Sequence, residues 1–178
     1  MIVINTKFKG LKIIQQKNNG DARGFLRETF RKNVIKWNNL VFDYATTSKK
    51  NALRGFHFQY KYKQAKFVTV LKGKILDYVI DLRSTSDTFG ICFGIELSAD
   101  NCKSLFIPEG FGHAYYSMSK INIIYYKLSN YYNPKYESGI LWNDKMLRLK
   151  WPTSKPSVSA KDKKLRTFLE FKKVYKSL

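Results

Sequence analysis

From Ala52 to Ser129 the chain is cut into short apolar runs at near-regular spacing. They read "LRGFHFQ", "AKFVTVL", "KILDYVIDLR", "FGICFGIELS", "KSLFIPEGF", "HAYYSMS" and "INIIYYKLS". Runs of this length, rich in aromatic and β-branched residues and separated by turn signals, are strand-like and recur at the spacing of a sandwich or barrel. An all-β fold is the expectation. The chain's 178 residues can bury one substantial core. No repeat, low-complexity tract or Gly/Ser linker divides them, so a single domain over 1–178 is expected.

Local signals fill in the connections. "NNGD" at 18–21 reads as a turn between the strand-like "LKIIQ" and "RGFLRETF". Residues 31–40 have room for a short helix. "LKGKI" at 71–75 places Gly73 between two β runs, the pattern of a hairpin. "IPEGFGHA" surrounds His113 with a proline and glycines, which puts it at a bend or strand entry. After Pro152 the chain becomes polar and basic, and "KDKKLRTFLEF" (161–171) carries the period of an amphipathic helix. Residues 152–178 read as an appendage to the β domain.

A net charge of +20 raises the question of a polyanionic partner. The lysines are spread along the whole chain, and no zinc-finger, RNP or basic-zipper pattern is present, so most are read as solvated surface and nucleic acid is not the expected partner. Cys92 and Cys102 are too few for a disulfide framework. "MIVINTKFKG" lacks a signal-peptide core, and no apolar run approaches membrane-spanning length. A cytoplasmic protein with no membrane contact is the expectation.

The chemistry turns on two histidines, His57 and His113. A catalytic metal needs three or four close donors, and no His-x-His or clustered carboxylates accompany them, so no metal and no cofactor is expected. A histidine can instead be a general base, helped by a carboxylate that orients it and a cation that stabilises an enolate. In "NALRGFHFQ" (51–59), His57 stands near Arg54, with Lys66 on the next strand. Spacing alone leaves each of these open to a bland reading as core or surface. The five tyrosines of "IIYYKLSNYYNPKYESGILWND" are likewise open between packing and pocket lining.

The chain resembles the RmlC family, the dTDP-4-dehydrorhamnose 3,5-epimerases. The likeness runs from about residue 20 to 145, with an echo to Asp162. It is carried by "DARGFLRETF", "LRGFHFQ", "QAKFVTVLKGKILDYVIDLR", "STSDTFG", "LSADN", "LFIPEGFGHAYYSMS" and "YYKLSNYYNPKYESGILWND" in order. The resemblance implies a cupin jelly-roll barrel with short peripheral helices. It also implies a homodimer that exchanges strands from residues 1–50, and metal-independent epimerisation of a nucleoside-diphosphate 4-keto-6-deoxyhexose. Carried over by position, His57 is the base, Asp162 its orienting carboxylate, Lys66 the cation near the enolate oxygen and Tyr126 the acid on the opposite face. Arg23, Arg54 and Lys161 become diphosphate or nucleotide contacts, and Glu28, Gln59, His113, Tyr132 and Glu137 pocket residues.

Two departures from the family pattern stand out. Asn19 occupies a position commonly aromatic, and Phe42, Asp43, Tyr44 and Ala45 replace a Gln-x-Asn-His stretch. Loss of amide donors changes which substrate groups a site can satisfy. Epimerisation at one carbon, or of a GDP- or CDP-linked sugar, is therefore the enzyme alternative; a 3,4-ketoisomerase fits the "LRGFH" and "YYK" segments less well. A non-catalytic module that binds sugar nucleotides or RNA is the alternative of another class. One geometric demand follows for the leading reading. Ideal alternation puts Arg54 and His57 on opposite faces of a strand, so sharing one pocket requires a bulge or twist at Gly55, or an arginine that reaches in from the strand's end.

Overall fold

The computed structural model describes residues 1–35 and 39–178. Two sheets face one another. In the first the order is β1 (Ile2–Asn5), β2 (Lys12–Gln15), β10 (Lys103–Ile107), β7 (Lys66–Lys72), β12 (Ile121–Leu128) and β5 (Phe42–Lys49). The second runs β13 (Glu137–Gly139), β6 (Ala52–Gln59), β11 (Phe111–Ser117), β8 (Lys74–Asp81) and β9 (Cys92–Ser98), with β14 (Ser157–Val158) added beside β6. All pairings are antiparallel except β14 with β6. From β5 to β12 the chain passes repeatedly from one sheet to the other, which makes the sandwich a jelly roll.

Strand alternation builds the interior. Val68 and Val70 of β7, Ile75 and Val79 of β8, Leu105 and Ile107 of β10, Phe111 and Tyr115 of β11, and Ile124, Tyr126 and Leu128 of β12 share one buried cluster between the sheets. The alternate residues Phe56 and Phe58 of β6 and Ile80 of β8 face outward. There the C-terminal segment covers them with Phe168 and Phe171. Burying side chains of this size is worth roughly 1.5–3 kcal/mol each. The 152–178 appendage is thus an integral cover for the second sheet.

Three local expectations need correction. "NNGD" is not a turn: it is strand β3 (Asn18–Asp21), which pairs with β4 (Gly24–Arg27), and the reversal falls at Ala22–Arg23. "LKGKI" is not a hairpin, because β7 and β8 lie in different sheets. Gly73, at φ +81°, carries the chain across the edge of the sandwich, close against Ile121 and Asn122. The amide of Lys74 then donates to Asn122 Oδ1 at 3.0 Å. The helix expected over 161–171 splits into a 3-10 turn at Asp162–Lys164 and a later helix, α2 (Phe168–Val174). Thr167 caps α2 reciprocally with Glu170, a pairing that fixes the start of the helix. Of the helix expected over 31–40, α1 forms at Lys32–Ile35, and positions 36–38 lie outside the described residues. No described helix is long and apolar enough to cross a membrane.

Candidate active site

A cavity of about 160 Å³ lies between the two sheets. Its walls are Tyr44 and Thr46 from β5, Arg54 and His57 from β6, Lys66 from β7, His113 and Tyr115 from β11, and Tyr126 from β12. Both sheets contribute, so polar groups face each other across the space.

Arg54 and His57 reach the same cavity because β6 carries a bulge. His57 lies opposite His113 and Arg54 opposite Tyr115, so three steps along β6 match two along β11. Gly55 takes up the extra residue at φ +109°. A Cβ on Gly55 would stand 2.3 Å from the His113 carbonyl oxygen and 2.7 Å from Ala114 Cα. Only glycine lets the two strands approach this closely.

His57 Nε2 is 2.9 Å from Asp162 Oδ1. The carboxylate, 3% exposed, also accepts from the amide of Gly55 through Oδ2 at 3.1 Å. Burial pushes the Asp162 carboxyl up, but the hydrogen bond and charge of His57, with the Gly55 amide and Ser159, outweigh it and hold it below its ordinary value. An ionised Asp162 fixes the Nε2–H tautomer and leaves Nδ1 to take a proton.

Lys66 lies at the cavity floor with Nζ 3.4 Å from the His57 carbonyl oxygen. Burial brings its ammonium down to about 8, against the pull of Glu137 and Asp77. His113 Nε2 meets Asp77 Oδ2 at 2.8 Å, and both are buried. Asp77 is raised by burial, a push opposed by His113 and Lys66. On the far wall Tyr126 is 3% exposed, and burial above all holds its phenol well above the ordinary range. It stays protonated across the neutral range. Arg54 Nε donates to Ser48 Oγ at 3.2 Å, and Ser48 also bonds the Tyr115 hydroxyl at 3.0 Å.

Other expected residues fall outside the cavity. Glu137 forms an ion pair with Lys161 and accepts from the Tyr132 hydroxyl at 2.8 Å, a linked set on the rim. Gln59 is buried, donates to the carbonyls of Tyr62 and Tyr131, and accepts from the amide of Asn133, so its amide braces the 131–133 loop. Arg23 sits on the β3–β4 hairpin with its side chain 90% exposed and paired to Asp21. Glu28 pairs with Arg31. Neither reaches the His57 cavity of its own chain. Among the described residues, no three His, Cys, Asp or Glu side chains cluster as metal ligands.

Sequence reasoning did not single out Asp77, Thr46 and Tyr115, and took Tyr44 only as a departure. Alternation carries the missing signal: Phe42, Tyr44, Thr46 and Ser48 share one face of β5, and Asp77 sits between Ile75 and Val79 on the buried face of β8.

The match to known proteins agrees with this geometry. The family model for dTDP-4-dehydrorhamnose 3,5-epimerase matches residues 5–170. The chain belongs to this epimerase family. It is 41% identical over 169 residues to the dTDP-4-dehydrorhamnose 3,5-epimerase of Salmonella typhimurium, covering 91% of this chain and 92% of that protein. The solved structure of the Legionella pneumophila enzyme with dTDP-4-keto-L-rhamnose superposes with a TM-score of 0.88 at 36% identity, over 93% of this chain and 92% of that one. The Bacillus anthracis enzyme with TDP and PPi bound gives 0.90 at 37%, over 94% and 99%. Against the family pattern, the departures now have places. Tyr44 lines the cavity beside Tyr126, and Asn19 lies in a recess of about 280 Å³ shared with Arg23 on the β3–β4 hairpin.

Proposed function

We propose that the protein is a nucleotide-sugar 3,5-epimerase acting on a dTDP-linked 4-keto-6-deoxyhexose in deoxysugar biosynthesis. The observation that carries this reading is the disposition of base and acid. His57, oriented by Asp162, stands on β6 of one sheet, and the protonated phenol of Tyr126 stands on β12 of the other. A sugar ring between them would present one face to each.

The ketone at C4 acidifies the hydrogens on C3 and C5. His57 Nδ1 takes one of them, the C–H electron pair moves into the new C=C bond, and the carbonyl pair moves onto oxygen. The buried Lys66 ammonium and His113 would stand beside the developing enolate charge, where burial strengthens their effect. The electrons then return, and Tyr126 delivers its proton to the carbon from the other face. Solvent reprotonates the phenolate and takes the proton from His57, so the cycle balances without an oxidant or reductant. Arg54, braced by Ser48, and Lys161 on the rim would meet the diphosphate.

We further propose a homodimer in which the β3–β4 hairpin reaches the partner's site. Phe25 and Leu26 on that hairpin are 61% and 66% exposed, and Arg23 is exposed outside the lining of its own chain's cavity. A partner surface would cover the apolar pair and give the arginine a ligand. A cytoplasmic location goes with a nucleoside-diphosphate substrate and two free cysteines. Inversion at one carbon is the second reading, because a Streptomyces niveus relative, 34% identical over 118 residues, is a dTDP-4-dehydrorhamnose 3-epimerase.

Incubation with the 4-keto sugar nucleotide in heavy water tests the assignment. Deuterium at both C3 and C5 of the product is expected. Label at C3 alone would establish the single-carbon reading, and no label on any nucleotide-linked 4-keto sugar would remove the enzyme assignment.

A further inference from the structure

The acid is held in an unusual way. Tyr126 is almost fully buried, yet among the described residues its hydroxyl makes no hydrogen bond to the protein. Among the described residues no polar group aims the phenol, so its direction depends on the rings that touch it. Tyr44 lies directly opposite on the neighbouring strand, and the two rings stack at 4.9 Å with an interplanar angle of 22°. His113 meets Tyr126 edge-on, at 6.0 Å and 65°. Behind Tyr44 stands Phe42, two residues earlier on the same face of β5, at 5.6 Å. The stack is therefore buttressed from outside, while the Tyr44 hydroxyl, like that of Tyr126, makes no hydrogen bond to the protein among the described residues.

We propose that Tyr44 is a positioning residue for the acid: its ring holds the Tyr126 phenol pointed across the cavity, and so decides whether an enolate is reprotonated with inversion or returned to starting material. This rests on the epimerase reading above. The base side of the reaction does not depend on the stack, because His57 is set by Asp162 and the β6 bulge. Loss of the Tyr44 ring frees one face of Tyr126, lets the phenol turn and admits water beside it. His57 then forms the enolate as before, but the proton comes back more often from the side it left. The ring matters and the hydroxyl does not, so phenylalanine should substitute for Tyr44 and alanine should not. Tyr44 is 38% exposed on an edge strand, and its truncation opens no void in the core.

The test compares wild type, Tyr44→Phe and Tyr44→Ala in heavy water. It scores deuterium in recovered, uninverted substrate against deuterium in inverted product. Tyr44→Ala should shift that ratio towards uninverted label by about tenfold, the upper end of what one aromatic pair contributes. Tyr44→Phe should keep the wild-type ratio. An unchanged ratio in Tyr44→Ala, or equal damage in both variants, overturns the proposal. Tyrosine-ring-labelled NMR without substrate separates this failure from failure of the epimerase reading. Tyr126 ring flips should be slow in wild type and Tyr44→Phe and at least tenfold faster in Tyr44→Ala, and unchanged flips refute the stack whatever the reaction proves to be. A wild type that labels no substrate, with the flips altered as expected, removes the epimerase reading and the stack's reactive role while leaving the stack as the clamp on the ring.

Discussion

Replacing Asp162 by asparagine isolates the charge behind the base. The side chain is nearly isosteric and stays within reach of both partners, the Gly55 amide at 3.1 Å and His57 Nε2 at 2.9 Å. An amide cannot serve both as the carboxylate does. If its oxygen faces the Gly55 N–H, its NH₂ faces His57 and demands an acceptor at Nε2, which moves the imidazole proton to Nδ1 and blocks the base. If the amide flips, the Gly55 N–H loses its buried acceptor. In either orientation the imidazolium formed on proton abstraction has lost its counter-charge. Two unit charges about 4 Å apart attract by about 4 kcal/mol at an effective dielectric constant near 20, which bounds the loss at about a thousandfold. The wrong tautomer acts in the same direction, and general-base catalysis as a whole is worth about 10²–10⁴-fold. Asp162→Asn should therefore lower solvent-deuterium incorporation at C3 and C5 by two to three orders of magnitude (about 10²–10³). A thermal midpoint within a few degrees of wild type is expected alongside, because no volume is lost. Exchange within about threefold of wild type in a folded Asp162→Asn protein would show that the pair is structural and that the base lies elsewhere.

Three further outcomes follow from the same geometry. Tyr126→Phe should keep exchange into recovered substrate while product formation falls by about 10²-fold or more, read from the same heavy-water experiment; normal product formation would remove Tyr126 as the acid. With burial bringing Lys66 down to about 8, its ammonium is present below that pH and lost above it, so kcat/KM should decline as pH rises through about 8. Across the same interval the unfolded lysine, at its ordinary 10.5, holds a proton that the native one has released, so Lys66's own contribution to stability rises with pH and unfolding does not explain the decline; a Lys66→Gln variant that kept both the activity and the alkaline limb would contradict the assignment. Gly55→Ala should destabilise the fold by about 3 kcal/mol or more, since the added methyl meets backbone atoms of β11 and φ +109° strains any side chain. In a domain of this size that lowers the midpoint by roughly 6–12 °C, and a midpoint unchanged in calorimetry would mean that β6 does not need its bulge.

The sequence was legible where side-chain period and chemistry coincide. Short runs with aromatic and β-branched residues gave the strands of the jelly roll, because each alternates between the inner cluster and an outer face. The family likeness gave His57, Lys66, His113 and Tyr126, and the structure gathers these with Arg54 around one cavity. Turn chemistry was a poorer guide. Gly73 has the residue type of a hairpin, but a positive φ serves equally well to cross from one sheet to the other, and only long-range pairing decides between them. The C-terminal helix was misplaced because "KDKKLRTFLEF" shows a helical period over a stretch whose first half is committed to delivering Asp162. The capping pattern Thr167-x-x-Glu170 marked the true start. Buried polar residues such as Asp77 were illegible as site components, since a carboxylate at 0% exposure reads in sequence like any charged residue on a strand. Arg23 and Glu28 pair with Asp21 and Arg31 outside the cavity, and strand period alone did not show that they would fall there.

The C-terminal segment and the setting of His57 are one construction. Parallel to β6, β14 pairs Ser157 and Val158 with Ala52 and Leu53, immediately before the bulge. Ser159 Oγ then accepts from the Asp162 amide at 3.0 Å, and Asp162 in turn holds Gly55 and His57. Further on, Phe168 and Phe171 pack against Phe56 and Phe58, the outward neighbours of His57 on the same strand. The tail thus grips β6 by its backbone before the bulge, by a carboxylate at it, and by apolar packing after it. Each grip opposes the tendency of an ordinary strand to straighten, which would return Arg54 to the face opposite His57. The outer aromatic cover and His57 therefore meet on one strand: Phe168 and Phe171 pack against its outward residues, while its bulge brings His57 and Arg54 into one cavity.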